Sequence, residues 1–175
     1  MAGHVIPAQT QVFIVGGGPF GLTLAIELGR RGIAVVLADQ NPGTTRNAAA
    51  NATQARTMEH FRRLGFADEI RALGLPPDFP TDIAYFTRFA RHELARFSLP
   101  SSRDAKQLVT SMSGSWSAAE LPPRCNQKFI EPVLRRHAEA LPSVSVNYGM
   151  RVTGFDPDSL EVRLESGQTV KTRYL

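Results

Sequence analysis

Cysteine is almost absent from this chain: Cys125 is the only one in 175 residues. No intramolecular disulfide can form, which suits a reducing cytoplasm, and a buried, inert thiol is the expected state of Cys125. Long apolar runs are missing as well. None approaches the ~20 residues of a membrane span, and Met1 to Gln11 lacks the charged and apolar regions of a secretory leader. The expected location is therefore the cytoplasm, with no membrane partner. Histidine is sparse: His4, His60, His92 and His137 show no metal-ligand spacing, so no metal site is expected. Blocks of one charge are lacking too. The formal charge is +4, but the pairs Arg30-Arg31, Arg62-Arg63 and Arg135-Arg136 fall on predicted helices, where a solvated face explains them better than a nucleic-acid footprint. No internal repeat is visible. Hydrophobic content of 42% and charged content of 21% are ordinary for a globular protein long enough to bury a core as one domain.

Glycine is where the chain is rich in information. Gly16-Gly17-Gly18-Pro19-Phe20-Gly21 lies between a short apolar run, Val12 to Val15, and an apolar-periodic stretch from Leu22 to Arg31. That order is the strand, glycine turn and helix of a dinucleotide-binding βαβ unit. Gly16 permits the tight turn, Gly18 lets the backbone approach a pyrophosphate, and Gly21 lets helix and strand pack closely. The helix start then aims unpaired N–H groups and its positive dipole end at the anion. Gly32 ends the helix, and Ile33 to Ala38 reads as a second, buried parallel strand closed by Asn41-Pro42-Gly43. Asp39 follows it about 20 residues beyond the glycine turn, where an acid accepts hydrogen bonds from an adenosine ribose. A solvated strand-end carboxylate is the plainer reading of Asp39. Gln40 and Asn41 come next rather than an arginine, so FAD or NAD is favoured over NADP.

Further along, residues 41 to 52 read as a loop long enough to be functional. Thr53 to Leu64 reads as a helix with Ala55, Met58, Phe61 and Leu64 on one face and Gly65 as its stop. A short helix is expected over Asp68 to Leu73, a strand over Thr81 to Thr87, and its return over His92 to Leu99. Arg103 to Pro123, rich in Ser, Gly and Pro, reads as irregular. A strong helix is expected from Gln127 to Leu141 with Pro132 tolerated near its start. Strands follow at Val144 to Asn147, Arg151 to Phe155, Leu160 to Leu164 and Thr169 to Leu175, with Ser166-Gly167 as a hairpin turn. The Val144 segment should return to the nucleotide-binding layer, and the terminal strands should form a small antiparallel layer over it.

Several separated motifs agree in order with one family. The glycine turn, Asp39, the segment Asn51 to Phe66, the pieces Tyr85-Phe86-Thr87-Arg88 and Glu93-Leu94-Ala95-Arg96, and Arg124 to Leu134 together resemble the FAD-dependent aromatic hydroxylases related to para-hydroxybenzoate hydroxylase and phenol hydroxylase. The resemblance implies an α/β, Rossmann-like βαβ FAD-binding fold with an inserted segment and an antiparallel β layer. It implies a flavoprotein monooxygenase in which NAD(P)H is a transient reductant and one atom of O2 reaches a small phenolic substrate. By motif position it makes Gly16, Gly18, Pro19, Phe20, Gly21, Asp39, Gln40, Arg46, Arg56 and Gln127 cofactor contacts, the arginines suiting phosphate oxygens through their planar fork. Plainer readings are a surface helix arginine for Arg56 and a polar helix-start residue for Gln127.

Two departures stand out. Relatives often carry a basic residue where this chain has Ala49, with Arg46 the candidate substitute. The end, Lys171 to Leu175, resembles the strand that leads in the family into a Gly-x-Asp-Gly motif, which does not follow here. The expectation is a truncated portion, inactive alone, divided as nucleotide-binding residues 1–75, a substrate-side insertion 76–123 and returning elements 124–175. Its exposed sheet would be covered by the missing C-terminal half or a second copy. Two other classes stay open: an NAD-dependent dehydrogenase, for which neither a Tyr-x-x-x-Lys pair nor a histidine with an acid partner is evident, and a non-catalytic nucleotide-binding or interaction module whose open sheet edges a partner covers.

Overall fold

The computed structural model describes residues 6–48, 50–89, 91–113 and 117–175. In chain order its elements are β1 (Val12–Val15), α1 (Pro19–Gly29), β2 (Val35–Asp39), α2 (Ala55–Leu64), α3 (Ala67–Ala72), β3 (Ile83–Phe86), β4 (Glu93–Phe97), α4 (Ser102–Ser111), α5 (Gln127–Glu139), β5 (Val144–Tyr148), β6 (Val152–Asp156), β7 (Glu161–Leu164) and β8 (Thr169–Lys171). They form two compact units, one of residues 1–48 and 130–175, the other of residues 49–129. The expected division at 75 and 123 follows chain order, whereas the first unit is assembled from the two ends of the chain.

In the first unit β1, β2 and β5 make a parallel sheet in the order β1-β2-β5. The central strand explains the arrangement, since Val35, Val36, Leu37 and Ala38 are all buried and a continuous apolar run needs cover on both faces. On one face α1 packs through Leu22, Ala25 and Ile26. On the other, Phe13, Val36 and Ala38 meet Val162, Leu164 and Val170 of the antiparallel sheet β6-β7-β8. The sequence-based expectation of a returning strand and an antiparallel layer is therefore met. Ser166-Gly167 turns the last hairpin, with Gly167 at φ +86°, a left-handed conformation open to glycine without penalty. Beyond β8, Tyr174 bridges Val12 in parallel, its carbonyl accepting the Phe13 N–H at 2.9 Å.

In the second unit α2 buries Met58, Phe61 and Leu64, i, i+3 and i+6 along one face. Gly65 closes it in the left-handed region, and the Phe61 and Phe66 rings meet 5.2 Å apart. Strands β3 and β4 form an antiparallel hairpin with a register shift at Tyr85/Phe86. One expectation fails here: Arg103 to Pro123 is not irregular throughout, because α4 occupies its first half. The cause is a local cap. The Ser101 hydroxyl accepts the Asp104 N–H at 3.2 Å while donating to the Asp104 carboxylate at 2.6 Å, a reciprocal closure of the first turn. The Ser, Gly and Pro residues that suggested irregularity crowd into the stretch after α4.

Candidate cofactor site

Three strands of the first unit end together. β1 runs into Gly16, β2 ends at Asp39, and β5 ends at Tyr148, the parallel register partner of Asp39. Open α/β sheets place ligands just outside such carboxyl ends. Gly16 has φ +112° and its N–H donates to the Ala38 carbonyl at 2.8 Å, which fastens the turn to β2. A Cβ on Gly21 would run into the Gly16 carbonyl; the close packing expected there is real. Gly18 is the N-cap of α1, and a Cβ placed on it would meet open space, its nearest neighbour being Glu131 Oε1 at 4.0 Å.

The start of α1 is not capped by a side chain. Pro19 occupies the first helical position, and the first turn holds no acid. The first bond of the helix runs from the Leu22 N–H to the Gly18 carbonyl, 3.0 Å. The helix has no acceptors for the N–H groups of Gly18, Phe20 and Gly21. They lie at the positive end of the dipole, where an anion is stabilised by roughly 0.3 to 1 kcal/mol per exposed charge. Phe20 itself is 92% exposed.

Asp39 leans into this turn instead of standing free in solvent. Its Oδ2 accepts the Gly17 N–H at 2.6 Å, and its Oδ1 accepts both the backbone and side-chain N–H of Asn41 at 2.7 and 2.8 Å. Gln40 points its Oε1 to Arg151 Nε, 3.1 Å away. Arg46 is exposed, on a loop whose neighbouring Thr45 N–H donates to Glu131 Oε2 at 2.6 Å. So Gly16, Gly18, Pro19, Phe20, Gly21 and Asp39 form one cluster, and the Glu131 carboxylate that holds the Arg46 loop lies 4.0 Å from the Cβ position of Gly18. Arg56 and Gln127 belong to the second unit. There Arg56, 82% exposed, pairs with Glu59 at 2.7 Å, and the Gln127 N–H donates to the Ala50 carbonyl at 3.0 Å. Ala49, where a basic side chain was missed, lies outside the described residues.

Two contributors escaped sequence reasoning. Glu131 is 2% exposed between the buried Ile130 and Val133 of α5; an acid inside an apolar stripe is a signal that could have flagged it. Tyr148 donates its hydroxyl to the Gly17 carbonyl at 2.7 Å, and the Arg135 guanidinium lies over its ring, 4.7 Å from the centroid. Burial, partly offset by the Arg135 charge, pushes the Tyr148 hydroxyl up to about 12, so it remains a donor throughout the neutral range.

The sequence pattern of the FAD binding domain family matches residues 9–175. The chain belongs to that family. Among its relatives, aklavinone 12-hydroxylase of Streptomyces peucetius is 33% identical over 180 residues, covering 95% of this chain and 35% of the relative. Para-nitrophenol 4-monooxygenase of a Pseudomonas species is 29% identical over 165 residues, covering 94% and 37%. Among solved structures, the flavin-dependent monooxygenase PieE in complex with FAD and substrate superposes with a TM-score of 0.75 at 26% identity, covering 97% of this chain and 30% of PieE. This FAD-binding domain thus spans about a third of the length of these relatives.

Elsewhere in the FAD-binding domain, Cys125 is buried and burial pushes its thiol up, as its expected inertness requires. Among the described residues no three His, Cys, Asp or Glu side chains group as metal ligands. No helix among them is long and apolar enough to cross a membrane.

Proposed function

We propose that this chain is the part of a flavin-dependent aromatic monooxygenase that holds the adenosine diphosphate half of FAD. The observation that carries the reading is the uncapped start of α1, where an open Gly18 follows a Gly17 whose N–H is held by Asp39. In this assignment the N–H groups of Gly18, Phe20 and Gly21 donate to the diphosphate, and Pro19 presets the first helical turn. Asp39 accepts a ribose hydroxyl: a carboxylate has about four acceptor sites, and the Gly17 N–H and the two Asn41 N–H groups leave one of them, on Oδ2, open. Gln40 and Asn41 offer no cation to a 2′-phosphate. Arg46 serves the phosphates from its loop, and Arg56 and Gln127 are assigned as further FAD contacts by motif position.

Bound FAD would supply the oxidative chemistry, the transfer of one oxygen atom of O2 to an aromatic ring at the expense of reducing equivalents from NAD(P)H. The substrate class is proposed from relatives named for nitrophenol and aklavinone, and the cytoplasm is the proposed site of action. Residues of this chain have a narrower task, which is to bind, orient and neutralise the nucleotide end.

Calorimetric titration with ADP and FAD tests the reading. The parent should bind both, and Gly18→Val should abolish binding because its side chain fills the space a phosphate needs. Equal affinity in parent and variant would overturn the placement.

A further inference from the structure

The peptide joining Gly17 to Gly18 has a glycine on either side and no Cβ to hinder its rotation. In a trans peptide the carbonyl of one residue and the N–H of the next point in opposite directions. Whatever holds the Gly17 carbonyl therefore aims the Gly18 N–H. That carbonyl is held by the Tyr148 hydroxyl at 2.7 Å. The preceding peptide is held separately, by the Gly17 N–H on Asp39 Oδ2 at 2.6 Å. The Tyr148 ring is itself seated firmly: Arg135 lies over it, and its Cε1 is 2.8 Å from where a Cβ on Gly17 would stand.

We propose that Tyr148 is a positioning residue of the diphosphate site: by fixing the Gly17 carbonyl it turns the Gly18 N–H toward the phosphate and prevents a flip that would present a carbonyl oxygen to the anion. The inference rests on the cofactor reading above and adds to it a residue on a strand more than a hundred positions away. It makes a distinction that a general packing role does not. Tyr148 should matter for ligands that carry a diphosphate and be nearly silent for the nucleoside alone.

The test measures ADP and adenosine affinities of the whole protein by calorimetry, with the thermal midpoint recorded in parallel. Tyr148→Phe keeps the ring and removes the hydroxyl; it should weaken ADP about tenfold, the equivalent of one hydrogen bond to a well-placed group, and leave adenosine within about twofold. Gly17→Ala is the second route, since its methyl displaces the ring, and it should reproduce the ADP-selective loss. Equal weakening of ADP and adenosine in both variants, or unchanged ADP affinity in either folded variant, would overturn the proposal while leaving the cofactor reading intact. Failure of the parent to bind ADP would instead overturn that reading, and this inference with it.

Discussion

Both oxygens of Asp39 are already hydrogen-bonded within the protein, one to Gly17 and the other to Asn41. The residue thus has a structural task and a proposed ligand task, and two substitutions separate them. Asp39→Ala removes everything and should weaken FAD about tenfold or more while also lowering the thermal midpoint, each lost charge-assisted bond contributing roughly 1.5 to 3 kcal/mol. Asp39→Asn keeps a carbonyl oxygen for one donor, so calorimetry and a melting curve together should show a smaller loss of stability than of affinity. Unchanged affinity in both variants would reduce Asp39 to a tether for the turn. At this scale the glycine motif was legible because every requirement is local: Gly16 needs its backbone conformation and Gly21 its close approach within six residues of one another. Tyr148 was not legible. Its role exists only because β5 pairs with β2, which sets it beside Asp39 across more than a hundred residues.

Among the elements, the hairpin β3–β4 is distinguished by its charges. Arg96 of β4 binds Glu93 at 2.6 Å and Asp82 at 3.2 Å. The Leu99 N–H, followed by Arg96, holds the Asp82 carboxyl below its ordinary 3.8, and Arg96 holds Glu93 below its ordinary 4.5. Groups depressed in this way contribute stability that is fully present above their ordinary values and is lost as pH falls through the depressed ones. Amide protection within residues 83–97, taken relative to the intrinsic exchange rate at each pH, should therefore fall selectively below about pH 4, ahead of protection in the buried β2. A uniform fall in protection across both elements would contradict this. Element boundaries also show where sequence reasoning gave out. The strands of the parallel sheet were readable as short apolar runs, whereas α4 was hidden because its cap residue Ser101 stands just outside the stretch Arg103 to Pro123, whose later half is rich in Ser, Gly and Pro.

For the whole molecule, the governing fact is that the chain spans about a third of the length of its relatives. Val15, Leu24, Tyr174 and Leu175 leave apolar surface open beside β1 and α1, and Phe89, Leu94 and Phe97 are exposed as well. The residues assigned to the cofactor here serve its nucleotide end. By itself the 175-residue chain should therefore retain FAD poorly, tend to associate through its open apolar surface, and show no monooxygenase turnover. Absence of three or four polar contacts of about 1 kcal/mol each weakens a ligand by two to three orders of magnitude. A stable yellow monomer that consumes NAD(P)H and O2 with a phenol would contradict this.

The strand order β1-β2-β5 also sets a clock on the ribosome. β1, α1 and β2 are contiguous and can associate as soon as they emerge, but the second neighbour of β2 is not made until Tyr148. At roughly 5 to 20 residues per second, the apolar run Val35–Ala38 spends on the order of 5 to 20 s with one edge unpaired while the intervening helices and hairpin are synthesised. Closing so long a segment is entropically cheap for its length, so the hazard is one of waiting time, and nascent-chain binding by chaperones should be densest between the synthesis of Asp39 and that of Tyr148.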